Sequence, residues 1–157
     1  MALTSIPNYP VSGMDQTAVS AALLVPQTGT ATLFTVTGAV HVLEIWGVIT
    51  AAASATATNL KVSVQVGTLT AVDVCANGAI ASLAIGQLLG LKTSLATALV
   101  VAAPTTNGVM DATADAATSF MMSGSGIITA TTSASNATCT VRWFCRYRPL
   151  TAGALVV

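Results

Sequence analysis

The side chains that could do chemistry are few, and most of the positive ones sit in one run, residues 137–150, ATCTVRWFCRYRPL. At the two-residue period of a strand, Cys139, Val141, Trp143, Cys145 and Tyr147 point one way, and Thr138, Thr140, Arg142, Phe144, Arg146 and Arg148 point the other. One side is apolar and the other is a basic row. A guanidinium offers a planar fork of donors to carboxylates or phosphates, so Arg142, Arg146 and Arg148 around Phe144 could hold a partner's acidic groups or a nucleic-acid backbone, or simply keep a strand face in water. Three arginines in a domain without net positive charge are a small electrostatic footprint, which disfavours nucleic acid. The reading that best suits so charge-poor a chain is an ion-pairing protein interface.

The remaining candidates carry less. His41 is the only imidazole; three residues before Glu44, with no nucleophile in a recognisable pattern beside it, it reads as a structural or interface residue and not as a general base. Asp111 and Asp115 share a predicted surface loop but lack the glycine and glutamate positions of a calcium loop. SGSG at 123–126 is not followed by the Lys-Ser/Thr of a phosphate loop. Cys139 and Cys145 lie about 20 Å apart along one strand, too far for a disulfide. With Cys75 they make three cysteines, with no C-x-x-C and one histidine, so no zinc ligand set is expected. They read as buried small hydrophobes of a protein made in a reducing cytoplasm. No catalytic site, cofactor or metal is predicted.

The elements that must position these residues are strands. Leu33, Thr35 and Thr37 alternate with Phe34 and Val36, and Gly38 then leads into VHVLEIWGVIT, where Val42, Glu44, Trp46 and Val48 oppose Leu43, Ile45 and Ile49; this pattern predicts a hairpin. The tryptophans and tyrosines fall mostly in core patterns. NLKVSVQVG puts Leu60, Val62, Val64 and Val66 inward, and a short strand, TLTAVDVC, follows Gly67. Residues 80–98 are open between a short helix and a turn, because Leu83, Leu88, Leu91 and Leu95 share a helical face that Gly86 and Gly90 weaken. LATALVVA, SFMM and IITATT supply further strands. Seven or eight strands separated by Gly, Pro and Asn turns predict an all-β antiparallel sandwich, jelly-roll-like, of about eight strands. Residues 1–29, punctuated by Pro and Gly and lacking a sustained period, are expected to be an extended N-terminal arm. Residues 30–150 form the sandwich and 151–157 an apolar tail docked on its own sandwich or on a neighbour.

Composition narrows the setting. Charged residues make up 6% of the 157-residue chain and the formal net charge is +0. Ala and Thr replace ions on the surface, which leaves little repulsion between copies, and a homo-oligomer is expected. No window offers the about 20 predominantly apolar residues of a spanning helix, and the N-terminus has no basic segment followed by an apolar one, so neither membrane insertion nor secretion is expected.

Leu33, Phe34, Val36 and Gly38, then Gly47, Val48 and Thr50, then Trp143, Tyr147, Pro149 and Leu150 form a pattern that resembles the small β-rich virion structural proteins of tailed bacteriophages. The likeness spans most of the domain through core and turn positions. It implies a virion component of the decoration (cement) type, made in the host cytoplasm. Such a protein would sit on the capsid surface against the major capsid protein as a homo-oligomer, preferably a trimer at threefold positions. The alternative it leaves open is a tail or fibre module binding a host receptor or glycan.

Overall fold

The computed structural model describes residues 14–25, 29–91, 100–101, 119–134, 136 and 138–157. Among these described residues twelve strands follow one another: β1 (Gln16–Leu24), β2 (Gly29–Thr37), β3 (Val40–Ala51), β4 (Asn59–Val66), β5 (Val72–Asp73), β6 (Gly78–Ala79), β7 (Leu88–Gly90), β8 (Val100–Val101), β9 (Phe120–Met122), β10 (Gly126–Thr132), β11 (Thr140–Pro149) and β12 (Leu155–Val156). They form two antiparallel sheets facing each other as a sandwich. Sheet A runs β1-β11-β3-β7-β8, with β9 also on β3; sheet B runs β12-β2-β10-β4-β5, with β6 also on β4. The excess over eight comes from short pieces that share one edge: β9 and β7 pair with successive parts of β3, and β6 and β5 with successive parts of β4.

The core lies between the sheets. Sheet A contributes Val40, Val42, Ile45, Ile49, Val141, Trp143, Cys145 and Tyr147, and sheet B contributes Phe34, Val36, Leu60, Val62, Ile128 and Ala130, all buried. β11 follows its predicted alternation residue by residue from Val141 to Arg148. The Tyr147 hydroxyl, which would otherwise be costly to bury, donates to Gln16 Oε1 at 2.7 Å.

Several sequence expectations are corrected. β2 and β3 are not a hairpin: β2 pairs with β10 and β12 in sheet B, and β3 with β11, β7 and β9 in sheet A. Gly38 (φ 69°) instead turns the chain from one sheet to the other. A side chain there would meet Thr151 Oγ1 and Ala154, and the turn is closed by Ser125 Oγ accepting from Gly38 N and Thr151 Oγ1 accepting from Ala39 N. Residues 16–24 do not belong to an arm: as β1 they pair along β11, while 1–13 and 26–28 lie outside the described residues. The tail, by contrast, docks on its own sandwich, one of the two expected outcomes: β12 extends sheet B on β2, with Ala154 and Val156 buried. Within 80–91 there are turns and β7 but no helix, and 92–98 lie outside the described residues, as does the loop of Asp111 and Asp115.

Bulges explain where the simple period fails. In β1 the register slips between Val19 and Ala22, and Ser20 Oγ accepts the Trp143 amide at 3.0 Å in the space this opens. In β3 the slip falls at Leu43, between the pairs Arg146–Glu44 and Tyr147–Val42. Val40 and Val42 therefore point inward on one phase, and Ile45 and Ile49 on the other.

Candidate functional site

All six residues singled out by the sequence, His41, Glu44, Arg142, Phe144, Arg146 and Arg148, lie on the outer face of sheet A. The register sets them in rungs: Arg142 opposite Val48, Phe144 opposite Trp46, Arg146 opposite Glu44 and Arg148 opposite His41. β1 adds Val19 beside Phe144 and Thr17 beside Arg146, and β9 adds Met121, 74% exposed, beside His41. Strand alternation brings these side chains out together, because each neighbour in sequence is spent on the core.

The middle rung is aromatic. Trp46 and Phe144 stack with ring centroids 5.1 Å apart and planes 5° from parallel, a cross-strand contact worth up to about 1 kcal/mol. The two tryptophans thus lie on opposite faces: Trp143 is buried, whereas Trp46 is half-buried on the outer face. With Val19, 54% exposed, the two rings make an apolar row across β3, β11 and β1.

The charges around this row are largely closed within the chain. Arg146 Nη2 lies 3.5 Å from Glu44 Oε2. Arg148 donates from Nε and Nη2 to Asp15 Oδ1 at 3.1 and 2.9 Å. Both pairs are solvent-exposed and contribute about 1 kcal/mol or less each. Among the described residues, Arg142 is therefore the one guanidinium of the row without an ion-pair partner. Asp15 was missing from the sequence-predicted set, since it can be placed opposite Arg148 only once residues 16–24 are known to pair with β11. His41 and Glu44 stand on separate rungs with the Leu43 bulge between them, and no Ser, Thr or Cys stands across from His41 to be activated.

Other reactive groups among the described residues are engaged within the chain or buried. On sheet B, Asp73 takes Lys61 Nζ at 2.7 Å and the Ser63 hydroxyl at 2.7 Å; these two bonds hold its carboxyl below the usual range. Among the described residues, no three His, Cys, Asp or Glu side chains come together to hold a metal ion. Cys75, Cys139 and Cys145 are free and buried. Desolvation raises the Cys75 thiol and pushes Cys139 up to about 11 and Cys145 up to about 12, so none is a ready thiolate.

A pH dependence follows. Folded and unfolded chains alike keep their thiols protonated below about pH 8.5. Above that the unfolded chain releases protons that the folded one retains, and stability falls until the folded thiols ionise. Between pH 9 and 10 the loss should be about 1 kcal/mol for each of Cys139 and Cys145. Urea unfolding under reducing conditions at pH 8, 9 and 10 measures it, and Cys145→Ala should flatten the slope relative to the parent.

No family model, curated protein or solved structure matches the chain. The site's geometry and the sequence resemblance therefore carry the functional reading.

Proposed function

We propose that this chain is a non-enzymatic structural protein of a tailed-phage virion, a decoration protein that docks on the major capsid protein at the capsid surface as a homo-oligomer. In this reading the outer face of sheet A meets the shell. The observation that carries it is the composition of that face: a stacked Trp46–Phe144 pair next to Arg142, whose charge nothing described in the chain answers. Aromatic and arginine side chains are the types that dominate binding energy at protein interfaces, and a shell protein that presents a carboxylate to Arg142 and an apolar side chain to the rings would complement them. The two antiparallel sheets form a sandwich, which this reading takes as jelly-roll-like, a fold common in capsid proteins; that supports it at the level of architecture.

The surface position of Trp46 also favours a second reading, a tail or fibre module that stacks a glycan on the indole. Against it, Trp46 and Phe144 cover each other's faces, so only the outer side of each ring is left for a sugar.

Attachment to purified particles lacking the protein tests the proposal. The parent should bind at a copy number comparable to that of the major capsid protein. Arg142→Glu and Trp46→Ala should each weaken attachment at least about tenfold while the protein stays folded, equivalent to about 1.4 kcal/mol or more. A handful of copies per particle, or unchanged attachment by both variants, would count against it; retention on a glycan array, lost in Trp46→Ala, would favour the second reading.

A further inference from the structure

β1 is an edge along its whole length of nine residues. β11 occupies one side of it, and no described strand pairs with the other. The other strands that end the sheets or line β3 and β4 are two or three residues long, apart from the first part of β2. Long edges in native proteins are commonly guarded by lysine, proline or an inward charge, because their free amides and carbonyls will accept another strand. β1, QTAVSAALL, has neither a charged residue nor a proline. Thr17, Val19, Ala21 and Ala22 along it are exposed.

We infer that β1 is the self-association surface of this protein, pairing antiparallel with β1 of a second copy about a twofold axis near Ser20. A neutral strand is compatible with itself, since no like charges meet when it is turned against its own copy. The β1 bulge strengthens this choice of axis. It lies at Ser20 and Ala21 in the middle of the strand, and its Ser20 hydroxyl already serves β11. Gln16–Val19 of one protomer is then free to run along Ala22–Leu24 of its partner. The apolar row also becomes continuous: Trp46, Phe144 and Val19 lead across sheet A to the edge, and the second copy would carry the same row onward from the partner's Val19. Isologous pairing of this kind closes as a dimer. That differs from the threefold ring that the resemblance suggests, and it does not depend on where in a virion the protein sits.

Charge swapping at position 19 tests the axis. The full chain should be a dimer at micromolar concentration by light scattering coupled to gel filtration. Val19→Lys and Val19→Glu, each at a solvent-exposed position, should both be folded monomers by circular dichroism, because like charges then meet across the axis. An equimolar mixture of the two should restore the dimer. If Val19→Lys does not fold, Ala21→Lys, also exposed, replaces it in the mixture. A monomeric or trimeric parent, variants that remain dimeric, or a mixture that fails to reassociate would each overturn the inference.

Discussion

Gly126→Ala should destabilise the protein by about 4 kcal/mol or more, far beyond what one added methyl group costs on a surface. Gly126 opens β10, the middle strand of sheet B, and faces Val36 of β2 on one side and Val66 of β4 on the other. A Cβ there would overlap the Gln65 carbonyl and press on the Val66 backbone. A rotamer change cannot relieve a clash with backbone. Fraying the end of the strand would relieve it, but Ser125 pins both neighbouring turns: its carbonyl accepts from Gly67 N at 2.9 Å and its hydroxyl from Gly38 N at 2.9 Å. The lowest-cost escape is therefore to separate β10 from β4 at this rung, which also opens the core over Ile128. In a chain of this size a kcal/mol corresponds to roughly 2–4 °C in Tm, so Gly126→Ala should melt on the order of 10 °C below the parent by calorimetry. A shift of a degree or two would mean that the rung next to Gln65 yields easily and that Ser125 is not a pin.

Gly126 belongs to the SGSG run, in which a phosphate loop was sought and not found. Its glycine has a packing reason that lies in β4, some sixty residues away in sequence. The same distinction between local and distant information separates what the sequence disclosed from what it hid. β11 was legible because an unbroken alternation of apolar and charged residues can satisfy only one register with one face buried. The two-layer all-β architecture was legible from turn spacing. The β2–β3 hairpin was not, since a glycine turn between two apolar strands looks the same whether the chain pairs with itself or crosses to the other sheet. Here the partners that decide it, β10 and β11, are about ninety or more residues downstream. β1 was hidden by its own bulge, which shifts the apolar positions out of phase halfway along the strand.

The candidate site was legible to the same degree. Its six residues could be named because β11 and the first part of β3 carry the signal, and they do converge on one face. Its character was not legible. Whether the arginines are free depends on Asp15, whose position follows from β1, and on Glu44, whose rung follows from the bulge at Leu43. The reading of a basic row thus became, among the described residues, one of Arg142 without an ion-pair partner beside an aromatic pair. The place of Trp46 is settled for a related reason: its rung opposite Phe144 sets the indole on the outer face.

The inner side of the same two strands supports the second large prediction. Trp143 and Gly47 are directly opposed in β11 and β3, and Trp143 is 2% exposed. A Cβ on Gly47 would lie 3.0 and 3.2 Å from ring atoms of Trp143 and 2.7 Å from Val141 Cγ1, so the indole occupies the space that glycine leaves. Trp143→Ala should cost about 3–5 kcal/mol, through lost burial and the cavity left between the sheets. Gly47→Ala should cost about 1–3 kcal/mol by overpacking, less than at Gly126 because its neighbours are side chains that can shift. The two changes should not add. With the indole gone, the new methyl group enters space already vacated, and only the Val141 contact opposes it. In the Trp143→Ala background, Gly47→Ala should therefore be less costly by about 0.5–3 kcal/mol than in the parent. Urea unfolding of the four proteins, compared at constant slope, measures this coupling. Strict additivity would show that Gly47 is glycine for some reason other than the ring across from it. Coupling of the expected sign would show that the core under the candidate interface is fitted around one tryptophan, while the tryptophan on the opposite face remains free to meet a partner.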